Sequence, residues 1–396
     1  MKMNRIVLIG NGFDLAHGLK TRYEDFINWY WDYRVNGFDN EEKSISSDAL
    51  CSIEDLTNQP LYVNSYYGYN GKAIIKELKE NKDRFRFRYS PFFENICKSI
   101  ETKGWVDIEN EYYALLKEYA LERPSDDNLK ALNMQLQYLQ DLLIEYLAIV
   151  NKTEIKINSS IISKIYSAIK PSDISIEGRK EFNNYINWCR EQEKEYWEPI
   201  MRKYGDELSL ADIDDYKRKQ KDIFREEYPR PFMLPDDIML LSFNYSKTAK
   251  MYHNPNFSIN YIHGELEKPE SIIFGYGDEL EESFKRLKEL NDNECRRNIK
   301  SINYLESNHY RNVLAFIESA PFQVYIMGHS CGNSDRTLLN TLFEHKNCIS
   351  IKPYYYIKKD GTDNYIEVVQ NISRNFTDMK LMRDRVVNKT YCETLL

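Results

Sequence analysis

The sequence predicts an α/β protein, a parallel β-sheet whose first strand is separated from the others by a large, mostly helical insertion. Three observations carry this. The chain opens with an unbroken apolar run from Ile6 to Ile9, ended by Gly10 and followed by apolar residues at helical spacing. Short apolar runs return after Asp236 and alternate there with helical segments. Between these two regions, from Phe92 to Tyr228, nearly everything favours helix.

A chain of 396 residues exceeds the commonest domain size, so one domain with an insertion, or two domains, is expected. The net charge of −8 argues against a chain-wide electrostatic grip on nucleic acid or an anionic membrane. No stretch approaches the roughly 18 to 20 apolar residues that span a bilayer. The Ile6 to Ile9 run is also too short for a signal-peptide core, so a cytoplasmic protein is expected. Seven scattered cysteines without a C-x-x-C pair indicate neither a zinc ribbon nor a disulfide framework, and reduced thiols are the simpler reading.

Taken in order, Ile6 to Ile9 reads as a strand buried on both faces. Asn11 and Gly12 turn the chain. Phe13, Ala16, Leu19, Tyr23, Phe26, Ile27 and Tyr30 then recur at helical spacing, with an interruption at Gly18. A helix that starts just beyond a strand aims free N–H groups and the positive end of its dipole into the crevice, where glycines let an anion approach. Gly10, Asn11, Gly12, Phe13 and Asp14 are therefore candidate binding residues. The turn is not the G-x-G-x-x-G fingerprint, because Leu15 stands where the third glycine belongs. A buried strand with a tight turn explains the same residues equally well.

From Trp29 to Arg88 aromatic residues lie among polar loops (Asp39 to Asp48, Tyr62 to Gly71), and the basic run Lys76 to Arg88 reads as a solvated helix face. From Phe92 to Tyr228 helix dominates. Glu109 to Leu116 and Leu132 to Ile149 carry helical apolar stripes, and Arg179 to Lys221 is charge-dense with aromatics interleaved. Tyr228 to Pro235 is proline-rich and reads as a linker back to the sheet. Strands are expected at Ile238 to Phe243, Ile259 to Ile262, Ile272 to Phe274, Phe322 to Met327, Ile349 to Tyr356 and Tyr365 to Val369. Helices are expected at Leu280 to Leu290, Tyr310 to Glu318 and Ser334 to Lys346, the last capped by Ser334.

Polar residues recur where these strands end. Ile238 to Phe243 runs into Asn244, Tyr261-Ile262 into His263-Gly264, and Tyr325 to Met327 into Gly328-His329-Ser330, with Asp335 soon after. In an open parallel sheet the carboxyl ends of strands line the ligand crevice. An amide, an imidazole, a hydroxyl and a carboxylate would thus converge beside Gly10 to Asp14, although each alone is commonly structural.

With these residues in view, the chain resembles the AbiH-type bacteriophage abortive-infection proteins. The resemblance rests on Gly10-Asn11-Gly12-Phe13-Asp14-Leu15 with His17-Gly18-Leu19, Trp105-Val106-Asp107-Ile108-Glu109, Ser242-Phe243-Asn244-Tyr245, Ile262-His263-Gly264, Phe274-Gly275-Tyr276-Gly277-Asp278, and Gly328-His329-Ser330 through Ser334-Asp335. More remotely, the same landmarks resemble the sirtuin fold. That likeness implies a Rossmann-like, sirtuin-like domain from residues 1–30 and 236–396, with 31–235 as the mostly helical insertion. It implies NAD as substrate with no metal, bound by Gly10, Asn11, Gly12, Phe13, Asp14, Gly328, Ser330 and Asp335, and Asn244 and His263 as the catalytic pair. The cysteine pairs that bind zinc in protein deacylases are absent, and Asp14 stands where many sirtuins have serine. Hydrolysis of NAD+ to nicotinamide and ADP-ribose is the implied activity, rather than deacylation.

The chemistry asks for such groups. Cleaving the nicotinamide bond builds positive charge on the ribose, and nicotinamide leaves as a neutral molecule that needs no acid. An Asn amide can orient a ribose hydroxyl or water, and a His near neutral pH can accept the proton. Asp335 would stabilise the cationic ribose or bind a hydroxyl. Two rival readings are a nucleotide-sensing module without turnover and a metal-dependent nuclease built from Asp14, Asp335, Glu344 and His345. The partners expected are a dinucleotide substrate, a phage-derived trigger and a second copy of the chain, with no membrane and no extended nucleic-acid surface.

Overall fold

The computed structural model describes residues 2–38, 44–59, 70–103, 106–204 and 234–396. In chain order the strands are β1 (Asn4–Ile9), β2 (Ile45–Ser47), β3 (Cys51–Asp55), β4 (Phe85–Tyr89), β5 (Asp237–Ser242), β6 (Ser258–Tyr261), β7 (Phe322–Met327) and β8 (Cys348–Tyr354). Five of them form one parallel sheet in the order β6-β5-β1-β7-β8. All six residues of β1 and of β7 are buried, as expected for strands covered on both faces. The fold is thus the α/β, Rossmann-like class that the apolar runs predict. Leaving β1, the chain fills one side of the sheet with β5 and β6 and then returns to the other side for β7 and β8. The direction reverses between β1 and β7, where Gly10 and Gly328 succeed the strands. Ligand crevices of open α/β sheets lie at such a point.

Helices cover both faces. On one, Ile6, Leu8, Leu241, Val324 and Ile326 pack against Val313 and Ile317 of the helix His309–Ser319 and Leu338, Leu339 and Leu342 of Arg336–Phe343. On the other, Val7, Ile9, Leu240 and Met327 pack against Phe13 of α1 (Asn11–Ala16) and Ile161 and Ile165 of α7 (Ser159–Ile165). The break expected at Gly18 is present: its φ is +79°, and α2 begins at Tyr23 and runs to Phe38.

The helices α2, α3 (Gly71–Glu80), α4 (Pro91–Lys103), α5 (Ile108–Lys117) and α6 (Asp126–Val150) share a separate core, built on Tyr30, Phe92, Phe93, Tyr112 and Leu139. Phe274, Tyr276, Leu287 and Cys295, from the sheet-bearing part of the chain, close it. After α6 the chain returns to the sheet. The Arg5 guanidinium donates to the carbonyls of Ile165 and Ser167 at 2.8 and 2.7 Å, and Lys352 pairs with Asp173 at 3.0 Å, both side chains essentially inaccessible. Among the described residues no helix is long and apolar enough to cross a membrane.

Several expectations are corrected. Lys76 to Arg88 is not one helix face: α3 stops at Glu80, and Phe85-Arg86-Phe87-Arg88-Tyr89 is β4, paired antiparallel with β3 in a three-stranded sheet. Its aromatic and arginine residues alternate with the period of a strand, a pattern that the run of charges obscured. The Asp39 to Asp48 loop contains β2. Tyr365 to Val369 opens a helix, Tyr365–Arg374, that buries Tyr365, Val368 and Ile372 at helical spacing. The run was too short to separate the two periods. Ile272 to Phe274 is not a strand. Ser334 does not cap the next helix: the cap position falls on Asp335, whose side chain makes no capping bond. The charge-dense segment forms α8, Arg179–Tyr204, and residues 205–233, with most of the expected linker, lie outside the described residues.

Candidate functional site

The ladder hydrogen bonds run slightly past the strands and fix the residues just beyond them. Phe243 N donates to the Ile9 carbonyl at 2.9 Å, and Ile262 N to the Ser242 carbonyl at 3.0 Å. Asn244 and His263 are the next residues, so both stand at the carboxyl edge, beside Gly10 after β1 and His329 after β7. Asn244 is buried, and its Nδ2 donates to the Gly10 carbonyl at 2.9 Å, tying the end of β5 to the turn after β1. Phe243 wedges between the two imidazoles, its ring centroid 5.3 Å from that of His263 and 4.0 Å from that of His329.

Asp335 joins the two histidines. His263 Nε2 lies 3.3 Å from Oδ1, and His329 Nε2 lies 3.5 Å from Oδ2. His329 Nδ1 accepts the backbone N–H of Cys331 at 3.0 Å, which leaves the proton of a neutral ring on Nε2, facing the carboxylate. Lys300 completes the cluster: its Nζ is 2.8 Å from Asp335 Oδ1 and 2.8 Å from Glu109 Oε2, and it is 1% exposed. The Tyr304 hydroxyl sits 3.2 Å from His263 Nε2, its ring parallel to the imidazole. The ammonium thus stands between the two carboxylates, in the place a cation would take. Among the described residues no group of three or more His, Cys, Asp or Glu is placed to hold a metal ion.

Burial and these neighbours set the protonation states. Burial pushes His263 below its ordinary value, and the Lys300 ammonium adds to this against the pull of Asp335, which favours the neutral ring. Burial alone would raise Asp335, but Lys300 and His263 outweigh it and hold the carboxyl well below its usual range. Burial lifts Glu109 despite Lys300, and it lifts Asp107 in the same way. Lys300 itself is held well above the ordinary lysine value, because Asp335 and Glu109 outweigh its desolvation.

The loop bearing His329 is strained and clamped. Gly328 has φ +75° and Cys331, not a glycine, has φ +54°. Asn371 donates to the Ser330 carbonyl at 2.9 Å and Asn375 to the Cys331 carbonyl at 3.0 Å. The insertion reaches the same place. Asp107 caps α5 by accepting the N–H of Asn110, and its other oxygen would lie 3.7 Å from a Cβ on Gly332. Trp105 lies outside the described residues.

The residues singled out in the first turn have a structural explanation of their own. A Cβ on Gly10 would stand 2.5 Å from His329 Cα, and one on Gly12 2.8 Å from the Gly328 carbonyl oxygen. The Gly12 N–H donates to that carbonyl at 2.8 Å, so these glycines let the β1 and β7 loops pack backbone to backbone. Phe13 is core, edge-on to Tyr252. Asp14 is buried and accepts the Ser246 hydroxyl at 2.7 Å; burial raises its carboxyl, against Ser246, Thr248 and Asn244. Asn11 and Ser330 are exposed. The grouping of Asp14 and Asp335 with Glu344 and His345 does not form. The His345 carbonyl accepts from Cys348, the first residue of β8, which puts it at the opposite edge of the sheet, and Glu344 accepts from Thr377 and Asp378. Lys300 and Tyr304 were not anticipated: they lie outside the strand-end pattern, and nothing in Arg296 to Glu306 sets one charge apart from the rest.

The profile described as bacteriophage abortive infection AbiH matches residues 6–356, which include the strand ends, Glu109, Lys300 and Asp335. No curated protein matches the chain. With most of its length and every residue of the buried cluster inside that match, the chain belongs to the AbiH family of bacteriophage abortive-infection proteins.

Proposed function

We propose that this abortive-infection protein hydrolyses NAD+ to nicotinamide and ADP-ribose, with Asn244 and His263 as the catalytic residues. The observation that supports the reading is an amide and an imidazole standing just past the neighbouring strands β5 and β6, with the buried Asp335 carboxylate 3.3 Å from that imidazole, on the carboxyl edge of an open parallel sheet. The resemblance of this Asn and His to the sirtuin-like pair points the same way.

In the reaction the bond from ribose C1′ to the nicotinamide nitrogen breaks, and its electron pair leaves with nicotinamide. Water bonds to C1′ and loses its proton to His263. Asn244 orients the ribose or the water through the amide groups not spent on Gly10. Asp335 steadies the imidazolium that forms, as an ion pair in a site with little water. Loss of NAD+ would deprive an infected cell of its cofactor.

The test pairs two measurements on the purified chain, NAD+ binding by calorimetry and release of free nicotinamide. Binding with stoichiometric turnover to nicotinamide and ADP-ribose supports the proposal. Binding without turnover would make the chain a nucleotide sensor instead.

A further inference from the structure

We propose that Lys300 is a positioning residue through which the helical insertion sets the charge and orientation of the Asp335–His263 pair. The proposal rests on the catalytic reading of His263. The ammonium is the single link at hydrogen-bond distance between a carboxylate on α5 and the carboxylate that holds both histidines, 2.8 Å from each among the described residues.

The segment around Lys300 is built to hold it there. Lys300 N donates to the Tyr276 carbonyl at 2.9 Å, and Tyr276 N to the Asn298 carbonyl at 3.0 Å. The Tyr276 ring stacks on Tyr113 of α5, centroids 3.7 Å apart. The second oxygen of Glu109 accepts Gly275 N at 3.1 Å. The strap from Gly275 to Lys300 is thus fastened to α5 by a stacked ring, a backbone bond and an ion pair. On its other side, Gly277 accepts the N–H of Thr337 at 3.1 Å, and Asp278 pairs with Arg336 at 3.1 Å, next to Asp335. A displacement of α5 is therefore felt at Asp335 directly through the Lys300 ammonium, and at the neighbouring Arg336 and Thr337 through the strap.

The charged and titratable groups around the ammonium are Glu109 from α5, Asp107 at the N-cap of α5, Tyr23 from the start of α2, Tyr245 after β5, His263 after β6, and Tyr304 and Asp335. His329 reaches it through Asp335. A cation beside His263 disfavours the imidazolium, and the carboxylates favour it. Removing Lys300 or Glu109 therefore moves the titration of His263 in opposite directions, whereas a loss of packing has no reason to give opposite signs.

The experiment is NMR titration of the His263 ring in full-length wild type, Lys300→Met, Lys300→Arg and Glu109→Gln, with nicotinamide release measured on the same samples. The His263 midpoint should rise in Lys300→Met, fall in Glu109→Gln, whose amide oxygen still accepts Gly275 N, and return toward wild type in Lys300→Arg. Midpoints that do not move in Lys300→Met and Glu109→Gln overturn the proposal. If Lys300→Met does not fold, an unmoved midpoint in Glu109→Gln is sufficient to overturn it. The titration needs no turnover, so a wild type that leaves NAD+ intact would defeat the hydrolase reading and leave this result to stand or fall by itself.

Discussion

Asp335 meets His263 at 3.3 Å between Oδ1 and Nε2, although one precedes a helix beyond β7 and the other comes after β6 on the far side of the sheet. With Nε2 turned to the carboxylate and to Tyr304, Nδ1 is the ring nitrogen without a hydrogen-bond partner among the described residues. That is the arrangement of an oriented base: one nitrogen held, one available.

The pH dependence is set by the direction of the His263 shift. Burial and Lys300 lower its midpoint from the ordinary 6.5, so the neutral form persists to more acid pH than in a free histidine. Activity that needs neutral His263 should hold through pH 6.5 and fall below it. A profile of kcat/KM for NAD+ against pH with its acid limb above 6.5 would contradict this. Stability carries the same sign: the unfolded chain takes up this proton first, so the contribution of His263 to stability is lost as pH falls below 6.5.

Gly12→Ala should destabilise the fold by about 1–3 kcal/mol, because the new Cβ would lie 2.8 Å from the Gly328 carbonyl oxygen, against backbone that cannot rotate away. Chemical denaturation measures it. An unchanged midpoint with weakened NAD+ binding would instead make Gly12 a ligand contact, as its place after β1 suggests.

Lys352→Met should cost about 3–5 kcal/mol, because it strands the buried Asp173 carboxylate. Adding Asp173→Asn should restore part of that loss, since the charge left behind is removed. Urea unfolding of the two variants checks this, and equal stability of single and double variants would show that the pair does not clamp the 159–189 segment to the sheet.

Much of the sheet was legible because β1, β5 and β7 carry runs of apolar residues, and a strand buried on both faces leaves that mark; β8 is mixed, with Ser350 and Lys352 buried within it. Several carboxyl ends were legible too, because a polar side chain closely follows each: Asn244 after β5, His263 after β6 and His329 after β7. The link that joins them was not. Lys300 looks like its charged neighbours, and its importance comes from Glu109 and Asp335, which the fold brings together from distant parts of the chain. Gly10 and Gly12 carried a signal with two physical meanings, approach of a ligand or approach of backbone, and the contact with Gly328 supplies the second. Alternation in β4 was present but overlaid by charge, and Tyr365 to Val369 was too short to show its period.

The most direct measurement is nicotinamide released from NAD+ by the purified wild type and by His263→Ala at matched folding. The wild type should release it with ADP-ribose in equal amount, and His263→Ala should be slower by roughly 10²- to 10⁴-fold while still binding NAD+. Equal rates in the two proteins would contradict the assignment of His263 as the base.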